Sequence, residues 1–467
     1  MGLDRGGFGV AACILASFIT TYSLMMVAVS LDDISESLGI GNDVALLFTW
    51  SPVISTFAMS TFSSSLASRF GKRNVMVAGL VITAVTSILI FFTTSFQVAV
   101  ALRMMQGAGM SFLYVTMVSM LTDLSKEDRL DRNMGLNVVF SQSATVVAII
   151  LGYVCTPIFG WQSLCIPLIP LSILAMAMIW RAPNTRKSNF DPKFLDNVIL
   201  ASSIFMIMYG LGTISMGRHW LVLAGVVLLA VFFLRQRNRD NWVYNYSLFG
   251  NRAFRTACIG CAVLFTIVYN VTQLTFSYVQ FTEDNGLLEL VIVFQMVTPI
   301  ITAAFTPLVT KRYGGSRRVA AVTLGLILAA FSVLALTAVN GEEMEDMILI
   351  SAVFIAAGLA SALFTAPNMA IMMSTVDEGD RNDASSMNNF LRQFSKINGT
   401  IFMMLFMAGV SSDRLYNTFH QGLILFGVLM TVLASICVVI FWRYGRSVRS
   451  ERRPLGRVRS QPFQPIL

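Results

Sequence analysis

Long apolar runs recur along the whole chain, and they restrict its fold more than any other feature. Fourteen of them lie between residues 8 and 442, separated by short polar stretches. About 20 apolar residues in a helix cross the hydrocarbon core of a bilayer, so each run predicts a membrane span. Only 12% of the residues are charged, about half the fraction of a soluble domain. The runs are 8–30, 44–67, 74–94, 97–121, 134–156, 161–180, 195–215, 219–235, 256–282, 286–309, 318–339, 347–374, 386–410 and 418–442.

The basic residues are distributed unequally between the two sides that these spans define. One side collects 30 of the 33 Lys and Arg residues, including Arg392 and the seven arginines from Arg443 to Arg459. The other side holds only Arg218 and Arg414, and Arg103 lies within a run. Because loops rich in Lys and Arg stay in the cytoplasm, we expect a multi-pass protein of the cell membrane with both termini cytoplasmic.

Two stretches of the chain echo each other. Residues 66–73 follow the second run and residues 308–318 follow the tenth, and both are short, basic turns that contain glycine. A repeat offset by eight spans predicts an all-α integral membrane fold of two six-helix bundles with two inserted spans. The predicted parts are an N-terminal bundle (1–180), the two inserted helices with a linker (181–255), a C-terminal bundle (256–442) and a basic tail (443–467).

Arg103 lies inside an apolar run, whereas nearly every other charged residue lies between the runs. A charged side chain in a membrane helix costs about 2.5–3.5 kcal/mol on insertion scales, so Arg103 must face protein or water. At helical spacing it shares a face with Gln106 and Tyr114. It lies about 9 Å from the outer end of its span at 1.5 Å per residue. We interpret this face as the polar lining of a substrate cavity.

Other polar residues within the runs extend the candidate cavity. Each one alone is also explained as a hydrogen bond between helices. A stripe along one face of the ninth span, Asn270 to Ser277, favours a cavity lining, because such bonds rarely repeat over three turns. The predicted cavity residues besides Arg103, Gln106 and Tyr114 are Trp50, Asn270, Gln273, Asn389 and Gln393.

Several motifs resemble those of the major facilitator superfamily, in its fourteen-span drug:proton antiporter branch. Residues 66–73 (LASRFGKR) are similar to its loop 2–3 signature, and Arg103-x-x-Gln106-Gly107-x-Gly109 is similar to its span-four motif. Trp161 with Pro170, residues 246–254 and residues 384–393 resemble further segments of the same branch in the expected order. The resemblance implies two bundles that rock around a central site, with Ser68, Arg69, Gly71, Lys72 and Arg73 forming a gating loop.

Two departures from the family pattern bear on mechanism. The loop 2–3 aspartate is Ser68 here, and the preceding glycine is Ser64. The resemblance therefore implies that the cytoplasmic lock is made otherwise or is weaker. The span-five antiporter motif, G-P-x-x-G-G, keeps only Gly152 within residues 148–153. Proton antiport is therefore not carried over from that motif.

Proton-coupled transport needs a titratable group in the cavity, and the span interiors contain no Asp or Glu. The candidate proton carriers are then the peripheral Asp33 and Glu289. No cluster of acids, nucleophiles or metal ligands converges at membrane depth, so we expect neither an enzyme nor a bound cofactor or metal. The net charge of +8 follows from topology and does not indicate nucleic acid.

These features predict a secondary transporter that works by alternating access, acts as a monomer in the lipid bilayer and exports amphipathic organic compounds. Protons are a candidate coupling ion. A carrier of an anionic or zwitterionic solute without proton antiport remains an alternative, because Arg103 disfavours a purely cationic substrate. A non-transporting receptor or scaffold on the same fold is the other alternative.

Overall fold

The computed structural model is an assembly of α-helices. It describes residues 5–27, 30–39, 42–183, 194–212, 217, 219–236, 246–282, 285–313, 317–338, 343–407 and 415–451. The helices are α1 (Arg5–Met25), α2 (Leu31–Leu38), α3 (Asn42–Ala58), α4 (Ser60–Phe70), α5 (Lys72–Phe91), α6 (Phe96–Leu124), α7 (Leu130–Phe159), α8 (Leu168–Ile179), α9 (Phe194–Gly212), α10 (His219–Gln236), α11 (Arg252–Thr282), α12 (Asn285–Tyr313), α13 (Arg318–Leu336), α14 (Glu343–Ser374), α15 (Arg381–Met407) and α16 (Leu415–Glu451).

All fourteen apolar runs coincide with helical structure. The second run is divided into α3 and α4 at Met59, and the sixth begins as a 3-10 turn over Trp161–Cys165 before α8. Within the described residues, nine helices are long and apolar enough to cross a membrane, and α9 and α10 are shorter apolar helices. A multi-pass helical membrane fold is therefore confirmed, whereas the count of fourteen spans stays a prediction.

The helices form two packed groups. In the first group, α1 packs on α6, α7 and α8, and α5 and α3 pack on α6. In the second group, α11 packs on α14, α15 and α16, and α13 packs on α14 and α16. We call these groups the first and second halves. The predicted domain boundaries stay predictions, because packing alone does not fix them.

Two main sets of contacts join the halves. Helix α7 packs against α12 and α14, and α15 packs against α3, α4 and α6. The predicted offset of eight spans relates α4 to α12 and α7 to α15. It therefore relates the contact between α4 and α15 to the contact between α12 and α7. This correspondence is what a parallel repeat produces. The hairpin α9–α10 packs beside α3 and α4, so the inserted helices lie against the first half.

Glycine permits the sharp turn within the predicted gating loop. Gly71, between α4 and α5, has φ +89°, which side chains with a Cβ rarely adopt, and its N–H donates to the carbonyl of Ala67 at 3.1 Å. The turn therefore delivers Lys72 directly into the first turn of α5.

Candidate functional site

Arg103 lies wholly inside the first half. Its side chain has no exposed surface. One terminal nitrogen, Nη1, donates to the carbonyl of Ser23 at 2.9 Å and to Oε1 of Gln106 at 2.6 Å. The guanidinium carbon stands 5.2 Å from the centre of the Phe48 ring. Within the described residues no carboxylate forms an ion pair with Arg103. Its neighbours are neutral hydrogen-bond acceptors and the face of an aromatic ring.

Gln106 continues this network away from the second half. Its Nε2 donates to Oγ of Ser87 on α5 at 2.9 Å, and Ser87 in turn donates to the carbonyl of Thr83 at 2.7 Å. Arg103 and Gln106, which were predicted to share a helical face, are hydrogen-bonded to each other. Their shared face meets α1 and α5, and in this conformation neither residue is exposed. Their assignment to a substrate cavity stays a prediction that requires a conformational change.

Helices α3 and α6 approach closely one turn beyond Arg103. A Cβ added to Gly107 would clash with the carbonyl oxygen of Pro52 and would lie 2.9 Å from Cβ of Ser55. The hydroxyl of Thr56 donates to the Gly107 carbonyl at 2.9 Å. The absent side chain of Gly107 thus lets the backbones meet, and the region around Arg103 is tightly packed.

Tyr114 is placed elsewhere than its helical spacing suggested. It lies three turns from Arg103 on α6 and is buried, where its carbonyl accepts a bond from Ser385 of α15 at 3.2 Å. Tyr114 therefore belongs to the contact between the halves, while Arg103 belongs to the interior of one half.

Arg392, which lies in the thirteenth apolar run and was counted among the cytoplasmic basic residues, is a further functional candidate. It lies within α15, eleven residues after Arg381, which places it about 16 Å along the helix at 1.5 Å per residue. Its guanidinium stands 4.8 Å from the centre of the Phe265 ring, and Nη2 donates to the Tyr269 hydroxyl at 3.4 Å. The helix begins at Arg381, five residues before the predicted run, so Arg392 lies well inside it.

The predicted asparagines lie near Arg392 but within the second half. Nδ2 of Asn270, on α11, donates to the carbonyl of Ser395 at 2.9 Å and joins α11 to α15. Asn389 is buried on α15. The side chains of Trp50, Gln273, Glu289 and Gln393 lie outside the part of the chain that the structure describes, so their predicted roles stay predictions. Asp33 is exposed on α2.

The gating-loop residues lie at one end of the molecule, which we call the basic end because Lys72, Arg73, Arg318 and Arg381 are there. Lys72 is buried and pairs with Asp123, the penultimate residue of α6. Arg69 is exposed on α4, and Arg73 donates to the carbonyl of Ala182 at 3.3 Å. The loop is therefore attached to the first half through its lysine and its second arginine.

Two ion pairs close the basic end between the halves. Asp123 also accepts a hydrogen bond from Nη1 of Arg381 on α15 at 2.6 Å, so this carboxylate is shared by both halves. On the other side, Asp131 of α7 binds Arg318 of α13 through two bonds of 2.7 and 3.1 Å. Such charge-assisted and two-pronged pairs are stronger than neutral hydrogen bonds.

Hydroxyl and amide contacts complete this closure where the family pattern has an aspartate. Ser64 of α4 donates to Asp383 in the first turn of α15, and Ser119 donates to Asn382 at 2.8 Å. Asn382 in turn donates to Ser68 at 3.5 Å. The family's aspartate is absent at position 68, and an acid, Asp383, contacts α4 from the opposite half instead. A motif confined to one segment of the chain does not reveal this arrangement.

Burial raises the pKa of the Asp383 carboxyl to about 6. The hydrogen bond from Ser64 lowers this pKa, and the negative charge of Asp380 raises it. Asp383 precedes the apolar run that begins at residue 386, so it lies at the basic end rather than in the membrane interior. It is a titratable group near neutral pH that the sequence analysis did not single out.

The described residues contain no group of three or more His, Cys, Asp or Glu side chains that could hold a metal ion. The polar groups that are brought together are instead guanidiniums, hydroxyls, amides and a few carboxylates at the basic end. Their arrangement suits the formation and breaking of contacts between two halves.

Comparison with known proteins adds independent information. The pattern described as Major Facilitator Superfamily matches residues 13–400. The multidrug resistance protein Stp of Mycobacterium tuberculosis is 23% identical over 277 residues, which are 57% of this chain. That match spans about half, 51%, of the length of Stp. The drug efflux pump JefA of the same organism is 22% identical over 76% of this chain and 71% of its own.

A solved structure shares the fold. The human organic anion transporter MFSD10 superposes with a TM-score of 0.65 over 94% of this chain and 100% of that protein, at 13% identity. At such low identity the likeness concerns the fold alone.

Proposed function

Because the chain belongs to the major facilitator superfamily, we propose that it is a transporter that works by alternating access and exports amphipathic organic compounds. In this proposal a solute binds between the halves, and the basic end opens and closes. The protein acts as a monomer, since one chain supplies both halves. Following the distribution of basic residues, it resides in the cell membrane with both termini in the cytoplasm.

The observation that carries the proposal is the closure of the basic end by breakable polar contacts. Asp123 binds a cation from each half, and the Asp131–Arg318 pair lies on the other side of the interface. A permanent interface of this kind would be expected to be apolar, whereas ion pairs and hydroxyl bonds can exchange with water when the halves separate. The names of Stp and JefA, a multidrug resistance protein and a drug efflux pump, support an organic substrate.

The proposal is tested by flux through liposomes that contain the purified protein. The dyes ethidium and rhodamine B are followed in both directions, with and without a pH gradient. We expect flux of at least one dye, and a loss of about tenfold for Asp123→Asn, because that variant weakens the contacts of the carboxylate to both halves.

The control is Arg132→Gln, which removes an exposed cation from α7 near the same end. Its flux should equal that of the unchanged protein. Absence of protein-dependent flux for a panel of cationic, zwitterionic and anionic amphiphiles would contradict the transport proposal and favour a receptor or scaffold.

A further inference from the structure

Arg392 is placed where a solute between the halves would meet it. It lies near the middle of α15, with Tyr269 and Phe265 of the second half on one side. Helix α6 of the first half also packs on α15, where the hydroxyl of Ser385 donates to the carbonyl of Tyr114 at 3.2 Å. Arg392 is therefore carried by a helix that packs on both α11 and α6, of which α6 belongs to the opposite half.

The charge of Arg392 is not neutralised by the described part of the protein. The ion pairs found there involve other cations, and the groups around Arg392 are phenols, a phenyl ring and the thiol of Cys261. By contrast, Arg318 and Arg381 at the basic end each bind a carboxylate. A desolvated charge without a counter-ion is costly, so binding of an anion here would be favoured.

Arg392 also retains exposed surface, whereas Arg103 has none. Phe265, whose ring the guanidinium faces, is only 6% exposed, so Arg392 is flanked by a buried aromatic side chain. A guanidinium presents donors in a planar fork that matches the two oxygens of a carboxylate or the oxygens of a sulfonate. The position thus combines access, positive charge and an apolar surround.

We infer that Arg392 is the binding site for an anionic group of the substrate, so that the protein takes organic acids or zwitterions through a carboxylate or sulfonate. This inference rests on the proposed transport function and specifies its substrate class. In the bound state the anionic group pairs with Arg392, the hydroxyl of Tyr269 or Tyr114 donates a further bond, and the hydrophobic body contacts the aromatic wall.

The test measures binding, which does not require transport. Purified full-length protein in detergent is titrated against rhodamine B, which carries a free carboxylate, and against its ethyl ester, which has the same ring system without it. Fluorescence polarisation gives Kd for each dye. The unchanged protein should prefer rhodamine B, and Arg392→Gln should weaken binding of rhodamine B about tenfold or more. Binding of the ester should change by less than about twofold, within the usual context dependence of a single contact.

Two further variants separate recognition from structure. Arg392→Lys keeps the positive charge without the planar fork, so it should restore part of the preference for the carboxylate. Arg132→Gln removes an exposed arginine from α7 and should leave both Kd values unchanged. Gel filtration confirms that each variant is folded before titration.

The binding results test the role of Arg392 independently of whether the protein transports. Equal loss of both dyes in Arg392→Gln, no loss, or no preference for rhodamine B in the unchanged protein overturns the role of Arg392. If the preference is lost only in Arg392→Gln, the role stands even when liposomes show no flux, and the transport proposal alone then fails.

Discussion

Two helices of the molecule carry an arginine within an apolar run, Arg103 on α6 and Arg392 on α15, and the surroundings of the two side chains differ. Around Arg103 every identified partner belongs to the first half, the side chain is sealed, and α3 and α6 touch through Gly107. Arg392 lies on a helix that packs on both halves, and part of its side chain is exposed. The first region holds one half together. The second, together with the first turn of α15, lies where the two halves meet.

The difference shows that depth in the membrane does not by itself identify a binding residue. Both arginines lie within apolar runs. What separates them is whether the helix that carries them packs within one half at that point or on both halves. We therefore expect changes around Arg103 to reduce folding stability. Changes around Arg392 and in the first turn of α15 should alter gating or selectivity with little effect on stability.

The largest effect should come from Arg103→Ala. It removes the bonds to Ser23 and Gln106 and leaves a cavity beside Phe48, which should cost about 2–5 kcal/mol of folding stability. Transport should be lost while the protein still inserts into the membrane. Thermal unfolding in detergent measures the first effect and liposome flux the second.

Arg392→Gln is the matched variant for this comparison, and its unfolding temperature should stay within a few degrees of the unchanged protein. If Arg103→Ala left the unfolding temperature unchanged and abolished binding of rhodamine B, Arg103 would be a substrate ligand as its sequence pattern predicted. The distinction drawn between the two regions would then be wrong.

A smaller loss of stability is expected for Gly107→Ala. The new methyl group would clash with the backbone of Pro52, and overpacking of this kind costs about 1–3 kcal/mol. Gly6→Ala is the control, because a Cβ at Gly6 meets nothing within 4 Å. An unfolding temperature for Gly107→Ala equal to that of Gly6→Ala would show that α3 and α6 are less tightly packed than the structure indicates.

Much of the helical framework was predictable, because apolar composition over about 20 residues determines which segments can enter a membrane. All fourteen runs are helical, and the echo between residues 66–73 and 308–318 agrees with the corresponding contacts of α4 with α15 and of α12 with α7. The division of the second run at Met59 was not predicted, because no proline or glycine marks it.

The candidate site was less predictable, for a physical reason. Helical spacing establishes that Arg103, Gln106 and Tyr114 share a face, but it does not say which helix that face meets along its length. In the structure Gln106 meets α5, while Tyr114 meets α15. Asp383 escaped notice because its contact with Ser64 joins residues 319 positions apart. The missing aspartate at position 68 was the available signal, and it pointed to the correct end of the molecule.

The smallest expected effect is the dependence of closure of the basic end on pH. Burial at the closed basic end raises the pKa of Asp383 to about 6, whereas an opened, hydrated carboxyl would return towards its ordinary value of about 3.9. The closed form therefore binds a proton more tightly than the open form, so acidification stabilises closure. From pH 7.5 to 5.5 the ratio of closed to open molecules should rise about fourfold.

Spin labels at Asn74→Cys and Asp377→Cys, exposed positions on opposite halves at this end, report the separation by electron paramagnetic resonance. The short-distance population should grow on acidification, and Asp383→Asn should remove most of that dependence because it cannot titrate. An unchanged pH response in Asp383→Asn would assign the titration to another group. A response of the opposite sign would mean that the carboxyl of Asp383 is held ionised in the closed form. The basic end would then be a fixed electrostatic contact, like the one around Arg103.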